Sequence, residues 1–167
     1  YGFNYRMPEI AAAAALGELE RLEDLVQMRQ ESAKLLDEVI RECNWLVPQV
    51  VPEGYINSYW TYAAYIKDGP EWSEFRAKFA EYGGDGFYGC WLPVYKEPFF
   101  KDFYKNVSNN PERYPQYAGI ISDYEIIECP NIEHIQPVMI QFKTNYFDID
   151  DAKREADILS KTIALFS

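Results

Sequence analysis

The chain has 167 residues, carries a formal net charge of −11, and is 48% apolar and 17% aromatic. This composition excludes an intrinsically disordered chain, and the length suits one domain with its own core. The acidity excludes nucleic acid and anionic membrane surfaces as partners, because both require a basic protein face. No apolar run approaches the roughly 20 residues of a membrane-spanning helix.

The first quarter of the chain has helical spacing. Apolar residues recur three or four positions apart from Pro8 to Cys43, and the acidic pair Glu23 and Asp24 is typical of a helix start, so we expect a break near residues 22–24. The alanine run Ala11–Ala15 leaves no polar face for more than one turn. It predicts a helix covered by a missing domain or by a second subunit. The alternative is that alanine is there only as the best helix former.

The remaining chain mixes strand and helix patterns. Alternating apolar residues predict a short extended stretch and three strands, and helical spacing predicts two helices and a helical turn. The expected strands are 57–66, 87–91 and 137–142, after the extended stretch 45–51, and the helical segments are 71–82, 131–136 and 148–166. Prolines, asparagines and aromatic residues predict that 92–117 is a long loop with one helical turn near 99–104.

This order of elements predicts an α/β class chain, more narrowly an α+β domain. We expect a long N-terminal helix or helix pair, followed by a small, mostly antiparallel sheet of three to four strands with helices on one face. The predicted division is a helical linker or interface segment, 1–44, and a sheet-and-helix core, 45–167.

Few residues in the sequence are suited to catalysis or to binding a metal. His134 is the single histidine, and no Gly-x-Ser-x-Gly or phosphate-loop motif accompanies it. The scattered cysteines Cys43, Cys90 and Cys129 lack zinc-ligand spacing, so no metal site is predicted. Unpaired cysteines fit reduced thiols in a cytoplasmic protein. Cys90, next to Trp91, is the thiol to test for reactivity.

The segments around the alanine run resemble a known family. Gly2–Met7 has the pattern Gly-aromatic-Asn-x-Arg-Met, and Leu19–Leu22 follows as a Leu-Glu-x-Leu turn. Both are similar to the DegT-type family of sugar aminotransferases, which have fold type I and use pyridoxal 5'-phosphate. The resemblance implies that residues 1–167 are a single C-terminal small domain, with the large cofactor domain missing upstream.

The resemblance also implies an activity. Family members transfer an amino group, commonly from L-glutamate, to a keto sugar that is often linked to a nucleotide, and they act as homodimers. The Schiff-base lysine and the phosphate cup belong to the large domain. None of the nine lysines of this chain matches the Schiff-base position. We therefore expect no catalytic residue here, and an isolated chain that is inactive.

Asn4 and Arg6 are the site residues of the specific motif. Asn4 matches the family asparagine that reaches across the dimer to the cofactor phosphate. Arg6 matches a basic position near the same site, where its planar fork suits a phosphate or carboxylate of the substrate. Without the resemblance, Asn4 would be interpreted as a turn or capping asparagine. For Arg6, an ion pair that holds the loop remains an equal alternative.

A second segment, Pro93–Pro98, corresponds to a Pro-Leu-His-x-Gln-Pro-like stretch of the family. Tyr95 stands where the family commonly has histidine, which places the usual nucleotide-sugar contact in question because tyrosine carries no positive charge at neutral pH. With Tyr88, Trp91 and Lys96 it predicts an aromatic wall with one cation, suited to a sugar or nucleobase. The alternative is that these aromatic residues pack beneath a loop.

Two further functions remain open from the sequence. The first is a sugar dehydratase of the same fold that uses the same cofactor, or a catalytically silent paralogue, and the departure at Tyr95 motivates it. The second is an acidic binding module that is not an enzyme, which the size and net charge of the chain permit.

Overall fold

The computed structural model of the protein describes residues 5–117 and 128–167. The described helices are α1 (Glu9–Leu19), α2 (Leu22–Ile40), α3 (Trp72–Glu81), α4 (Pro98–Asn109), α5 (Pro130–Ile135) and α6 (Ile149–Ile163). The strands are β1 (Leu46–Pro48), β2 (Tyr62–Ile66), β3 (Phe87–Gly89) and β4 (Met139–Phe142), with short 3-10 turns at Val94–Lys96, Pro115–Tyr117 and Gln136–Val138.

The four strands form one antiparallel sheet in the order β1-β2-β4-β3. In its centre Ala64 of β2 lies opposite Ile140 of β4, and on the far side Phe87 of β3 lies opposite Phe142. The small antiparallel sheet and the mixed class predicted from the sequence are confirmed. The last strand of the chain lies between β2 and β3, so residues far apart in sequence become neighbours.

One face of the sheet carries the core. Because side chains alternate along a strand, Tyr62, Ala64 and Ile66 all point to the same side and are buried there. They share a hydrophobic cluster with side chains of α2, α3 and α6. Aromatic edges fill its centre, with the Phe75 ring 5.1 Å from both Trp45 and Phe87. The predicted placement of helices on one face is therefore confirmed.

The two N-terminal helices differ in burial. The break between them falls at residues 20–21, close to the predicted position. α2 buries Ser32, Ala33, Leu36 and Ile40, and it packs against α6. α1 buries none of its residues, and Ile10 is 86% exposed. Within the described part of the chain, α1 is thus a helix without a covering element.

Two predicted elements are wrong. Residues 92–117 do not form a long loop with a single turn, because α4 runs for 12 residues within them. Pro98 occupies its first turn, where the missing N–H costs no hydrogen bond, and Val107 is buried. Residues 57–61 are not part of β2, since Tyr59 has a φ of 51° and turns the chain just before the strand.

In residues 5–117 and 128–167, no helix combines the length and the apolar character that crossing a membrane requires.

Candidate functional site

A corner between the 3-10 turn Val94–Lys96 and helix α5 brings together two of the predicted site residues. The Tyr95 hydroxyl donates to Glu133 Oε1 over 2.6 Å, and Lys96 Nζ lies 3.2 Å from the same oxygen. The backbone N–H of Cys129 also donates to Glu133 Oε1, over 3.3 Å. One carboxylate therefore fixes both side chains relative to α5, although they come from a segment 38 residues earlier in the sequence.

These contacts shift the pKa values of the Glu133 carboxyl and the Tyr95 hydroxyl. The hydrogen bonds from Tyr95 and Lys96 lower the pKa of the Glu133 carboxyl, because they favour its charged form. Burial and the bond to Glu133 raise the pKa of Tyr95 above its ordinary value. At neutral pH the corner therefore holds a neutral phenol and a carboxylate.

Local sequence explains why the corner forms. Pro93 precedes the 3-10 turn, and the N–H of Lys96 donates to the Pro93 carbonyl over 2.7 Å. Pro130 begins α5, where its fixed φ suits a first helical residue. Glu133 follows in the first turn of α5, a position that favours acids and lets its side chain reach back to the N–H of Cys129.

Tyr88 lies on the open face of the sheet. In β3, Phe87 points into the core and Tyr88 points away from it, opposite Gln141 of β4, with 66% of its surface exposed. One hydrogen bond joins the residue after β3 to the residue after α5. In it, Gln136 Nε2 donates to the Cys90 carbonyl over 2.9 Å. Tyr88 thus belongs to a neighbouring surface and does not share the carboxylate that holds Tyr95 and Lys96.

Two predicted site residues precede α1. Asn4 lies outside the described residues. Arg6 is exposed in the irregular segment before Pro8, and the described contacts of Tyr95 and Lys96 do not include it. The structure therefore places two of the five predicted residues, the sequence neighbours Tyr95 and Lys96, on one carboxylate, and it places Tyr88 on the open face of the sheet.

Cys90 is half-buried, and burial raises the pKa of its thiol. Its sulfur lies 3.0 Å from the Met139 sulfur. A raised pKa lowers the thiolate fraction, so this environment argues against a reactive nucleophile. Among the residues that the structure describes, no group of three or more His, Cys, Asp and Glu side chains is arranged to hold a metal ion.

Two groups that sequence analysis did not select have notable environments. Glu133 was missed because a single acid in a short helical turn has no distinctive signal. Thr144 is fully buried, and its hydroxyl donates to the Tyr59 carbonyl over 2.6 Å while Arg29 Nη1 donates to the Trp60 carbonyl over 2.8 Å. These bonds hold the positive-φ turn before β2.

An open groove of about 370 Å³ lies apart from the corner, between α2 and the start of α6. Its lining mixes apolar and acidic side chains: Met28, Glu31, Tyr146, Phe147, Asp148 and Ile149. None of the five predicted site residues lines it.

Comparisons with known proteins give a family and a fold. A family model described as the DegT/DnrJ/EryC1/StrS aminotransferase family matches residues 1–118. No curated protein matches the sequence.

Solved structures with a similar fold include three larger proteins. Helicobacter pylori PseC, an aminotransferase involved in the biosynthesis of pseudoaminic acid, is 15% identical with a TM-score of 0.72, and the match covers 99% of this chain and 40% of that one. The sugar aminotransferase CalS13 from Micromonospora echinospora is 12% identical with a TM-score of 0.71, over 96% and 37%. 3-Amino-5-hydroxybenzoic acid synthase is 15% identical with a TM-score of 0.64, over 99% and 43%.

At these identities the matches establish the fold alone. The chain spans about two fifths of the length of each of these structures.

Proposed function

Because the chain belongs to the DegT/DnrJ/EryC1/StrS aminotransferase family, we propose that it is the C-terminal small domain of a sugar aminotransferase. The family match over residues 1–118 carries this proposal, since it includes the Asn4 motif, the alanine helix and the Tyr95 segment. The shared fold of PseC and CalS13, which are aminotransferases by description, supports it.

Sugar aminotransferases of this family depend on pyridoxal phosphate, which acts as an electron sink when bound. The described residues do not fit a complete site for it. A Schiff-base lysine is activated by a desolvating pocket or a neighbouring cation, whereas none of the nine lysines is buried. Four of them form ion pairs with acids: Lys78, Lys96, Lys143 and Lys153. The proposed Schiff-base lysine and phosphate cup therefore belong to a large domain outside this chain.

The role left to this chain is to bind and orient substrate. In the proposal Tyr95 and Lys96, with Tyr88 on the adjoining sheet face, contact the acceptor, a keto sugar linked to a nucleotide. Arg6 binds its phosphate or a carboxylate, and L-glutamate is the amino donor. The convergence of Tyr95 and Lys96 on one carboxylate supports this assignment, because side chains held in one geometry lose less entropy when a ligand binds.

The proposed assembly is a homodimer in which Asn4 reaches the cofactor phosphate of the neighbouring subunit. The exposure of every residue of α1 supports a covering surface outside this chain, either the large domain or the second subunit. The three free cysteines support a cytoplasmic location. The isolated chain is expected to be inactive.

The proposal is tested on the natural full-length protein. Borohydride reduction followed by peptide mapping is expected to label one lysine upstream of Tyr1 with phosphopyridoxyl. Transfer of ¹⁵N from labelled L-glutamate to a panel of nucleotide-linked keto sugars is expected to yield an amino sugar. A labelled lysine without transfer to any sugar contradicts the acceptor class.

One observation favours a second candidate, a sugar dehydratase of the same fold or a silent paralogue. Tyr95 replaces the histidine of the resembling segment, and its proton is directed to Glu133. The absence of any phosphopyridoxyl-lysine in the full-length protein would favour this candidate over amino transfer. An acidic binding module without enzymatic activity has no structural observation in its favour.

A further inference from the structure

We propose that Gln141 is an acceptor-binding residue, whose side-chain amide hydrogen-bonds the hydroxyl groups of a sugar ring that stacks on Tyr88. The inference rests on the proposed function, in which Tyr88 contacts the acceptor. It adds a residue that the sequence did not indicate. It also assigns the sugar part of the acceptor, and not its phosphates, to the open face of the sheet.

The register of the sheet brings Gln141 and Tyr88 together. The two residues lie directly opposite each other in β4 and β3, and Ala63 of β2 lies opposite Gln141 on its other side. Ile140 and Phe142 are buried in the core, so Gln141 between them is on the opposite face, as Tyr88 is. Directly opposite side chains in an antiparallel pair start about 5 Å apart at Cβ, so one ring-sized ligand can contact both.

Tyr88 provides a surface on which a ring can stack. Its side chain is 66% exposed, although it belongs to a strand of a packed sheet. The face of an aromatic ring is apolar and suits the C–H face of a sugar, whereas the hydroxyl groups at the edge of the sugar require polar partners. Gln141, as the cross-strand neighbour of Tyr88, is placed to supply them.

The side-chain amide of Gln141 keeps hydrogen-bonding capacity toward a ligand. Its Oε1 accepts from Thr61 Oγ1 over 3.3 Å, and its Nε2 donates to the Gly89 carbonyl over 3.4 Å. A side-chain amide can donate twice and accept twice. Among residues 5–117 and 128–167 these two bonds orient the amide and leave it one N–H and one acceptor position. A donor and an acceptor on one planar group match two neighbouring hydroxyls of a sugar, each of which can donate and accept.

The charges around Gln141 favour an uncharged ring over a phosphate. Its neighbours Thr61 and Tyr88 are both uncharged at neutral pH. Two positions further along the chain, Lys143 Nζ lies 2.7 Å from Asp85 Oδ2, so its positive charge is balanced. The net charge of −11 adds no attraction for an anion. This part of the sheet therefore offers hydrogen bonds and an aromatic surface, which suit the sugar part of the acceptor.

The test uses the full-length protein and three probes, the methyl glycosides of glucose, galactose and N-acetylglucosamine. Dissociation constants are measured by ligand-observed NMR titration, which needs no turnover. The wild type is expected to bind at least one of the three. Gln141→Met keeps the length of the side chain and removes its hydrogen bonds, so the affinity for that glycoside is expected to fall about fivefold, the effect of losing one hydrogen bond. Tyr88→Ala is expected to lower it by a similar factor, because the stacking surface is lost.

Further variants separate binding at Gln141 from a general effect of the substitution. Gln27→Met removes the same group from an exposed position on α2, where it donates to Glu31, and is expected to leave the affinity unchanged. Circular dichroism checks that Gln141→Met folds. If it does not, Thr61→Val serves, because it removes the donor that orients Gln141 Oε1. Its expected effect is a loss of affinity of about twofold, since a less ordered amide loses more entropy when it binds.

The inference is overturned if the wild type binds none of the three glycosides, if Gln141→Met leaves the affinity unchanged, or if Gln27→Met lowers it equally. Its failure can be told apart from failure of the proposed function. Amino transfer to a sugar with an unchanged glycoside affinity in Gln141→Met removes only the role of Gln141. The expected loss of affinity without a phosphopyridoxyl-lysine removes the aminotransferase proposal and leaves a sugar-binding sheet face.

Discussion

At the scale of single residues, Glu155 is the least well solvated charge in the described structure. It is 2% exposed, its Oε2 accepts from the N–H of Asp85 over 2.9 Å, and its Oε1 has no hydrogen-bond donor. The nearest cation, Arg154, lies 3.6 Å away and is itself largely in solvent. Burial therefore raises the pKa of the Glu155 carboxyl.

This environment predicts that Glu155→Gln stabilises the protein at neutral pH. The amide oxygen can still accept from Asp85, and no charge has to be desolvated, so the free energy of unfolding is expected to rise by about 1 kcal/mol at pH 7. A raised folded-state pKa means that the charged form costs stability above that pKa, and that the cost fades as pH falls toward the unfolded-state value. The gain is therefore expected to shrink toward pH 4, as measured by urea unfolding at several pH values.

The matched control for this prediction is Glu81→Gln, which removes the same charge from an exposed position. Its effect is expected to stay within about 0.5 kcal/mol at every pH. A loss of stability in Glu155→Gln at pH 7, or a gain that stays constant down to pH 4, contradicts the prediction.

At the scale of elements, the turn before β2 depends on a distant residue. Tyr59 adopts a positive φ, which costs energy for a residue other than glycine, and the Thr144 hydroxyl holds its carbonyl across 85 positions of sequence. Thr144→Val keeps the shape but leaves that carbonyl without its buried donor. We expect a loss of about 2 kcal/mol in the free energy of unfolding.

The comparison variant is Thr144→Ser, which keeps the hydroxyl and loses one methyl group. The free energy of unfolding of Thr144→Ser is expected to fall by about 1 kcal/mol, because an apolar contact is lost. Urea unfolding measures the loss of stability in both variants. If the serine variant is the less stable of the two, the methyl group and not the hydroxyl supports the turn.

The same elements show what a sequence can reveal about this fold. α2, α3 and α6 were predicted because their buried residues recur with helical spacing, and β4 because its apolar residues alternate. α4 was missed because phenylalanine and asparagine are weak helix formers.

For the candidate site, the adjacency of Tyr95 and Lys96 was visible in the sequence. The contribution of Glu133 was not visible in the sequence. Predicting it requires knowing that α5 packs beside a segment 38 residues earlier. The turn at Tyr59 was missed for the same reason, since Thr144, which follows β4 at the same end of the sheet, holds it from 85 positions away in the sequence. Local patterns thus predicted most helices and strands other than α4, and long-range contacts determined the turn at Tyr59 and the position of Glu133.

At the scale of the whole molecule, α1 is the helix that no other element of residues 5–117 and 128–167 covers. Its apolar side chains are largely in solvent, with Leu16 58% and Leu19 62% exposed, whereas α2 directly after it is anchored in the core. Exposed apolar surface of this kind marks a contact with another protein surface. In the proposed full-length aminotransferase that surface is the large domain or the second subunit.

The exposure of α1 predicts that Ala13→Glu has different effects on the stability of the 167-residue chain and of the full-length protein. In the 167-residue chain Ala13 is exposed, so the free energy of unfolding is expected to change by less than about 0.5 kcal/mol. In the full-length protein the new carboxylate would be buried without a partner, so we expect a loss of several kcal/mol or a dissociated dimer. Urea unfolding and light scattering measure the two effects. The control for added negative charge is Lys34→Glu, at an exposed position on α2. Equal effects of Ala13→Glu in the 167-residue chain and in the full-length protein would show that α1 remains uncovered in the complete protein.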